Sequence, residues 1–502
     1  MMAVLLPWLG RAQFTVTTNT DNTLTLTGYG GTNRNVTIPN AIAGLPVSII
    51  GASAFSAATI TNVVIPDSVT NIESGAFENC SQLLSVNIPD SVTSLGDYAF
   101  EGCASLSSVA LSTNIPAIGW QAFANCRRLT GITIPDSVTN LGDYAFLYSG
   151  LTNVFIPTNV SRIGYWAFNG CTNLMTFAVE SGSTFFSSVG GVLCDQTGTQ
   201  LLIFPEGRAG SYVIPGSVTN ISRSAFGFCP GLTNVTIPNT VSCIGTPAFY
   251  YASGLRSITV QAGNVFYSSA AGVLFNQDQT VLIRFPEGKT ESYTFPNSVT
   301  NIGAYAFYNN AWLTNIVIPD NVTVAGVSAF AYCPSLISAT IGDGLTTIPA
   351  NLFEGCIQLR TVTIGRHVTS IGDSAFSICL NLTNLYFESN APSAFGQWAF
   401  FDCPPFTAYY LPGTTGWNVF NTAALWQPVI LTADGRFGLQ TNQFGFNLNW
   451  VSGQTVVVES CTNLANPVWQ PLQTNTLTSS TVYFSDSPWT NFTQRFYRLR
   501  VP

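Results

Sequence analysis

A phenylalanine that returns on a fixed period governs this 502-residue chain. It follows Ala at positions 55, 77, 100, 123, 146, 168, 226, 249, 307, 330 and 376, and Phe353 and Phe400 hold related positions. Successive members lie 22–24 residues apart, apart from two steps of 58. Around each Phe runs the frame Leu-x-x-Val-x-Ile-Pro-x-x-Val-x-x-Ile-Gly-x-x-Ala-Phe-x-x-Cys. Strict self-similarity at this period is the mark of a repeat solenoid. One such unit buries too little apolar surface to fold alone, whereas stacked units bury Leu, Val, Ile and Phe in continuous columns. Each buried Phe contributes on the order of 2–3 kcal/mol, and Phe77, Phe100, Phe123 and Phe146 are the core of that column.

Within a unit, Leu151 to Ile156 (LTNVFI), Leu232 to Ile237 (LTNVTI) and Leu313 to Ile318 (LTNIVI) alternate as strands. Pro157, Pro238 and Pro319 end them, because proline gives no N–H to a ladder. The Ala-Phe-x-x-Cys segment reads as a short helical turn on the outer side, with Asp97 and Asp143 as its N-caps. The two long steps share one device: Phe185-Phe186-Ser187-Ser188 to Phe204-Pro205-Glu206-Gly207 matches Phe266-Tyr267-Ser268-Ser269 to Phe285-Pro286-Glu287-Gly288. Each reads as an inserted β-hairpin (192–203 and 273–283) with a polar turn, followed by one more strand rung. About 15 rungs result, spaced at ~4.8 Å. A parallel β-helix is the rival architecture; its rungs show three strand segments, and here one alternating strand per rung is clear.

These residues carry a resemblance. The Val-Thr-Ile-Pro-Asp-Ser-Val-Thr-x-Ile/Leu-Gly-x-x-Ala-Phe-x-x-Cys frame resembles the BspA-type leucine-rich repeat of bacterial surface proteins over residues 36–412. The resemblance implies a β-rich leucine-rich-repeat superhelix, a secreted or cell-surface location in a bacterium, and adhesion by protein binding.

Nine of the twelve cysteines stand three residues after the repeat Phe, among them Cys80, Cys103 and Cys126. One thiol per rung reads as a buried filler of the column, since free Cys is among the most buried residue types. No pairing of the C-x-x-C kind marks a zinc site. Cys194, Cys243 and Cys461 fall outside the column.

At the start, the apolar run Met1 to Leu9 before Gly10-Arg11-Ala12 reads as a signal peptide over residues 1–12, shortened at its charged end. Residues 13–35 form a β cap. Beyond the solenoid, 413–436 read as cap and linker and 437–502 as a small antiparallel β module, because Phe444, Phe446, Leu448 and Trp450 alternate with polar residues.

Function follows by exclusion and by surface. Charged residues make up 8% of the chain and the net charge is −8, which excludes a basic nucleic-acid interface. No apolar run reaches the ~18–20 residues of a membrane span. The single histidine, His367, sits in a turn, and no nucleophile elbow, phosphate loop or zinc-protease motif occurs. Asp67, Asp90, Asp136, Asp320 and Asp343 share one repeat position; they read as caps of their own turns rather than as a calcium or acid/base stripe. No cofactor, metal ligand or catalytic residue is expected. In Leu-x-x-Val-x-Ile the central x points away from the core. That row reads Val64, Asn87, Ala110, Thr133, Phe155, Ala178, Thr236, Thr259, Val317, Thr340, Thr363, Tyr386 and Tyr410. It is uncharged and suits a large flat partner on a concave sheet. Phe155, Tyr386, Trp398, Tyr410 and Trp417 are the candidate binding residues, since aromatics anchor interfaces. The expectation is a non-enzymatic extracellular binding or adhesion protein with a protein partner; the alternative is a secreted protein that binds, and in one version degrades, a polysaccharide.

Overall fold

The computed structural model describes residues 13–410, 414–417, 426–430, 438–440, 443–449, 455–462, 468–476, 481–486 and 496–500. The expected signal peptide lies outside them, as does most of the expected linker. The chain divides into two units, Met1–Asp278 with Phe285–Lys289, and Gln279–Arg284 with Thr290–Pro502. Both are built from the repeat, which winds about 17 turns. Ladder strands at the ends account for the excess over the expected count. At one end Leu24–Tyr29 pairs in parallel with Leu45–Ile50; at the other Phe406–Tyr410 pairs in parallel with Trp426–Ile430.

Each rung contributes two strands where the sequence shows one. The first comes from the Val-x-Ile segment, as in Asn62–Val64, Ser85–Asn87 and Ser108–Ala110, which pair in parallel. The second is only two residues long, as in Asn71–Ile72 beside Ser94–Leu95. Two residues are too few to show an alternation in sequence. A glycine follows this second strand because the preceding rung leaves no room: a Cβ on Gly142 would lie 2.7 Å from the carbonyl carbon of Gly119.

The Ala-Phe segment is not helical, and no α-helix occurs among the described residues. It is a run of tight turns whose N–H groups alternate in direction. In one rung Ala76, Glu78 and Cys80 donate to the carbonyls three residues back (Glu73, Gly75 and Phe77), at 2.9–3.2 Å. The N–H groups between them, on Gly75, Phe77 and Asn79, donate across to Asp97, Ala99 and Glu101 of the next rung, at 2.6–2.9 Å. Left-handed backbone accompanies this alternation two residues after the Phe of every Ala-Phe rung, and two residues before it in all but the rung of Phe249, where Pro247 stands. Tyr98, Tyr144 and Trp166 (φ 58°, 57° and 54°) fill the first position, Asn79, Asn125 and Tyr148 (57°, 60° and 54°) the second. Asn and Gly tolerate that region; Ile378 at φ 59° is a β-branched residue held there against its preference.

The Phe rings stack at the rung spacing. In the first unit Phe55, Phe77, Phe100, Phe123, Phe146 and Phe168 lie 4.9–5.8 Å apart with near-parallel planes. In the second, Phe307, Phe330, Phe353, Phe376 and Phe400 do the same at 4.8–5.6 Å. The ladder cysteines are more than fillers. The thiols of Cys80, Cys103 and Cys126 donate to the carbonyls of Phe55, Phe77 and Phe100, the repeat Phe of the preceding rung, at 3.0–3.2 Å. They are free and buried, and burial holds the Cys126 thiol well above the ordinary range.

The long steps contain no free-standing hairpin. In the first, Phe186–Val189 pairs antiparallel with Val192–Asp195, which pairs antiparallel with Gln200–Ile203. That last strand is itself a member of the two-residue ladder, in parallel with Asn220–Ile221. Phe204 then enters the Phe column 5.3 Å from Phe226. In the second unit Val281–Arg284 likewise pairs in parallel with Asn301–Ile302. Near the C-terminus the strands form two three-stranded antiparallel sheets, one of Gly438–Gln440, Gln443–Asn449 and Thr481–Asp486, the other of Gln470–Thr476, Thr455–Cys461 and Phe496–Arg500.

Phe123→Ala opens a hole in the middle of the column and is expected to cost ~3–5 kcal/mol; denaturant unfolding that matches the wild type would contradict the stacking. Titration with a thiol reagent should modify Cys243, which is exposed, before denaturation and the ladder cysteines only after it; rapid native modification of several ladder thiols would count against their burial.

Candidate binding surfaces

The strand face is defined by register. In the first unit Thr37, Val64, Asn87 and Ala110 follow one another across the ladder. Phe155 stands beside Ala178, and Val213 beside Thr236 and Thr259. In the second unit the row is Val317, Thr340, Thr363, Tyr386 and Tyr409. None of these residues is charged. Val64, Phe155, Val213 and Val317 are 57, 50, 60 and 61% exposed. The next outward row is polar and spends its hydrogen bonds on itself: Asn62 donates to Asn35 at 2.7 Å, and Ser338 to Asn315 at 2.6 Å. This uncharged row, with Val64, Phe155, Val213 and Val317 exposed on it, is therefore the part of this face left to meet a partner.

The five aromatic candidates do not gather into one site. Phe155 and Tyr386 lie on strand faces of different units. Tyr386 stacks on Tyr409 at 4.9 Å and 12°, and burial pushes its hydroxyl up to about 12. Tyr410 is one residue out of the expected row; it is in register with Phe387, which is buried. It stacks on Trp417 at 4.5 Å, and Trp417, 5% exposed, meets Phe387 edge-on at 5.0 Å. The Tyr410–Trp417 pair thus closes the end of the core. Trp398 lies at the left-handed turn position before Phe400 and is 64% exposed, on the turn side.

Asp90, Asp97, Asp143, Asp320 and Asp343 bridge rungs instead of capping their own turns. Asp97 and Asp143 accept from the backbone N–H of Trp120 and Tyr165, at 2.7 and 2.9 Å. Asp90, Asp320 and Asp343 accept from Thr113, Asp343 and Arg366 one rung on, at 2.7–2.8 Å. Bonds from the Thr113 amide and hydroxyl hold the Asp90 carboxyl below the usual carboxylate range. His367 is exposed, with Nδ1 2.7 Å from the Asp343 carbonyl. Among the described residues no three His, Cys, Asp or Glu side chains group as a metal set.

Two features of the turn side escape a strand-by-strand reading. One is an aromatic stripe in the first unit. Tyr98 meets Trp120 at 4.6 Å, and Tyr144, Tyr165, Trp166, Phe228, Tyr250 and Tyr251 form a connected set with neighbouring centroids 4.4–6.1 Å apart. The signal was present in the sequence as Tyr or Trp flanking Ala-Phe, but the stripe depends on side chains from non-neighbouring rungs. The other is Glu206, 3% exposed. In ordinary rungs the N–H two residues after Phe donates to a carbonyl of the next rung, as Gly102 does to Ala124. Where the chain detours after Phe168 that carbonyl is missing, and Gly170 donates instead to Glu206 Oε1 at 3.0 Å. Desolvation pushes the Glu206 carboxyl up to about 9, so it is held neutral near pH 7. Glu287, at the matching place, is also buried.

A solenoid of short parallel strands, with columns of Leu, Val, Ile and Phe, defines a leucine-rich-repeat protein. Its sequence matches the BspA type leucine rich repeat region over residues 48–175, 204–276 and 283–407 in six copies, and the chain belongs to that family. Among solved structures, a leucine rich cell surface protein from Faecalibacterium prausnitzii is 27% identical, with 84% of this chain and 98% of that chain covered and a TM-score of 0.42. The pneumococcal vaccine antigen PcpA is 17% identical, covering 83% and 95%, with a TM-score of 0.40. A leucine-rich repeat protein from Bacteroides ovatus is 19% identical, covering 84% and 100%, with a TM-score of 0.33. Comparison with curated proteins finds no match.

The raised carboxyl gives a signed expectation. Folded Glu206 keeps its proton to about pH 9, whereas the unfolded chain releases it near 4.5. Its contribution to stability is full below pH 4.5 and is lost as pH rises toward 9. The melting temperature of the wild type should fall relative to Glu206→Gln between pH 5 and pH 8.5; parallel curves would show that the carboxyl is not buried in its neutral form.

Proposed function

We propose that this chain is a non-enzymatic binding protein, displayed on or secreted from a bacterial cell, that meets a protein partner through its strand face. The observation that carries the reading is the uncharged row in register across the ladders, with Val64, Phe155, Val213 and Val317 exposed on it. Within each unit, stacking repeats this uncharged chemistry from rung to rung, which suits an extended partner better than a small ligand, since the latter wants a concave pocket. Membership of the BspA-type family supports the extracellular location, as does the apolar run before Gly10-Arg11-Ala12. The antiparallel strands beyond residue 437 are proposed as a separate attachment module. No helix among the described residues is long and apolar enough to cross a membrane.

The test is a panel of purified extracellular-matrix and serum proteins, measured by interferometry against the wild type and against Phe155→Asp and Val317→Asp. Both side chains are exposed, so melting should stay native. A partner whose affinity drops about tenfold in either variant, ~1.4 kcal/mol, is expected. Partners that bind both variants as well as the wild type would remove the strand face from the function.

A further inference from the structure

At the first long step the turn side of the first unit gathers polar atoms that have no partner. The indole Nε1 of Trp166, Nδ2 of Asn169, Oε2 of Glu206 and Oγ of Ser224 are all buried and without a hydrogen bond. Asn169 and Glu206 are 8 and 3% exposed. Backbone and side-chain bonds bring the four residues to one place. Asn169 N donates to Trp166 O at 3.2 Å, and the next amide, Gly170, donates to Glu206 Oε1 at 3.0 Å. Phe204, two residues before Glu206, donates to the carbonyl of Ala225, next to Ser224, at 2.8 Å. The short rung from Phe204 to Gly207 has no turn residue of its own in front of Phe204, and aromatic rings bridge the gap. The Trp166 ring reaches over to Phe228 at 5.9 Å and Tyr250 at 6.1 Å. Each buried, unpaired polar group costs ~1–3 kcal/mol, so four at one step form a standing demand for a partner.

We infer that this step is a binding site for a neutral sugar residue of a polysaccharide. Aromatic faces are electron-rich and match the C–H face of a sugar ring. The unpaired set mixes an indole donor, a carboxamide donor, a hydroxyl and a carboxyl, and sugar hydroxyls both donate and accept. Charge does not favour an anionic polymer: Asp97 and Glu101 lie beside Tyr98, Asp143 is paired with Arg162 at 3.4 Å, and Arg208, 5.9 Å over the Phe204 ring, is held by the carbonyls of Met175 and Gly190 at 2.7 Å. The indole N–H has no acceptor, and a side-chain rotamer change of the kind common at interfaces is the step the proposal requires for the sugar to reach Asn169 and Glu206. Tyr144, and beyond it Trp120 and Tyr98, continue along the rungs at ~4.8 Å per rung, so a polymer lying along the stripe meets further rings. This site is separate from the strand face and stands whether or not that face binds a protein.

The experiment is affinity electrophoresis of the full chain in gels containing β-glucan, mannan or xylan, with polygalacturonate as the anionic control. Retardation by at least one neutral polymer is expected. Trp166→Ala and Tyr250→Leu should each weaken it about tenfold, while Phe155→Asp should leave it unchanged. Melting curves report folding, and if Trp166→Ala does not fold, Tyr250→Leu decides. The proposal is overturned if no neutral polymer retards the chain, if only polygalacturonate does, if folded turn-side variants bind as the wild type, or if Phe155→Asp abolishes retardation.

Discussion

Everything in this molecule depends on one arrangement of backbone amides: in the Ala-Phe turns, every second N–H points at the next rung. A helical turn would have spent all its amides within its own rung and left this side of the stack to dispersion between the Phe rings. Alternation instead gives each rung a third line of inter-rung bonds, beside its two strand ladders. The cost is left-handed backbone at two positions per rung, which Asn and Gly accept readily and Tyr, Trp and Ile accept because the bonds on both sides over-determine it. The Phe between those positions is thereby aimed inward at a fixed height, and its ring meets the ring of the next rung at about 5 Å.

Low charge follows from the same arrangement. The stack is held by hydrogen bonds along its axis and apolar columns inside it, so the surface needs few ion pairs, and pairs such as Arg162 with Asp143 and Arg366 with Asp343 and Glu388 are exposed and worth little each. Polar side chains are used to extend the ladders: aspartates accept amides one rung on, Asn and Ser rows pair outside the strands, and cysteine thiols donate to the Phe carbonyl behind them. Glu206 is the clearest instance, a side chain that supplies an acceptor where the chain omits a backbone carbonyl.

Two faces with different chemistry result. Strands present uncharged residues in strict register, the face proposed above for a protein partner. Turns present Tyr and Trp at the left-handed positions, and the first long step also holds buried polar atoms without a partner. Long steps therefore do more than lengthen the chain; they are the places where the repeat's own hydrogen bonding runs short.

The period, the Phe column, the inward Val and Ile and the cysteine file were legible residue by residue, since each recurs at a constant offset and a stacked repeat must place equal offsets at equal depth. Thus Phe77 to Phe146 and Cys80 to Cys126 stand where the spacing puts them. The Ala-Phe turn was misread as helical because its pattern of small, aromatic and thiol residues suits one helical turn equally well; only the neighbouring rung, which accepts the alternate amides, decides between the two. Tyr410 was misplaced by one residue for a like reason: near the last rung the frame no longer constrains register, and pairing with the strand before it puts Tyr409, itself 4% exposed, in the row of Tyr386. Local spacing, then, determined what repeats and what is buried. Contacts between rungs distant in sequence decided what the aspartates bond, where Trp166 lies and why Glu206 is neutral, because in a solenoid the partner of every polar group belongs to another turn of the chain.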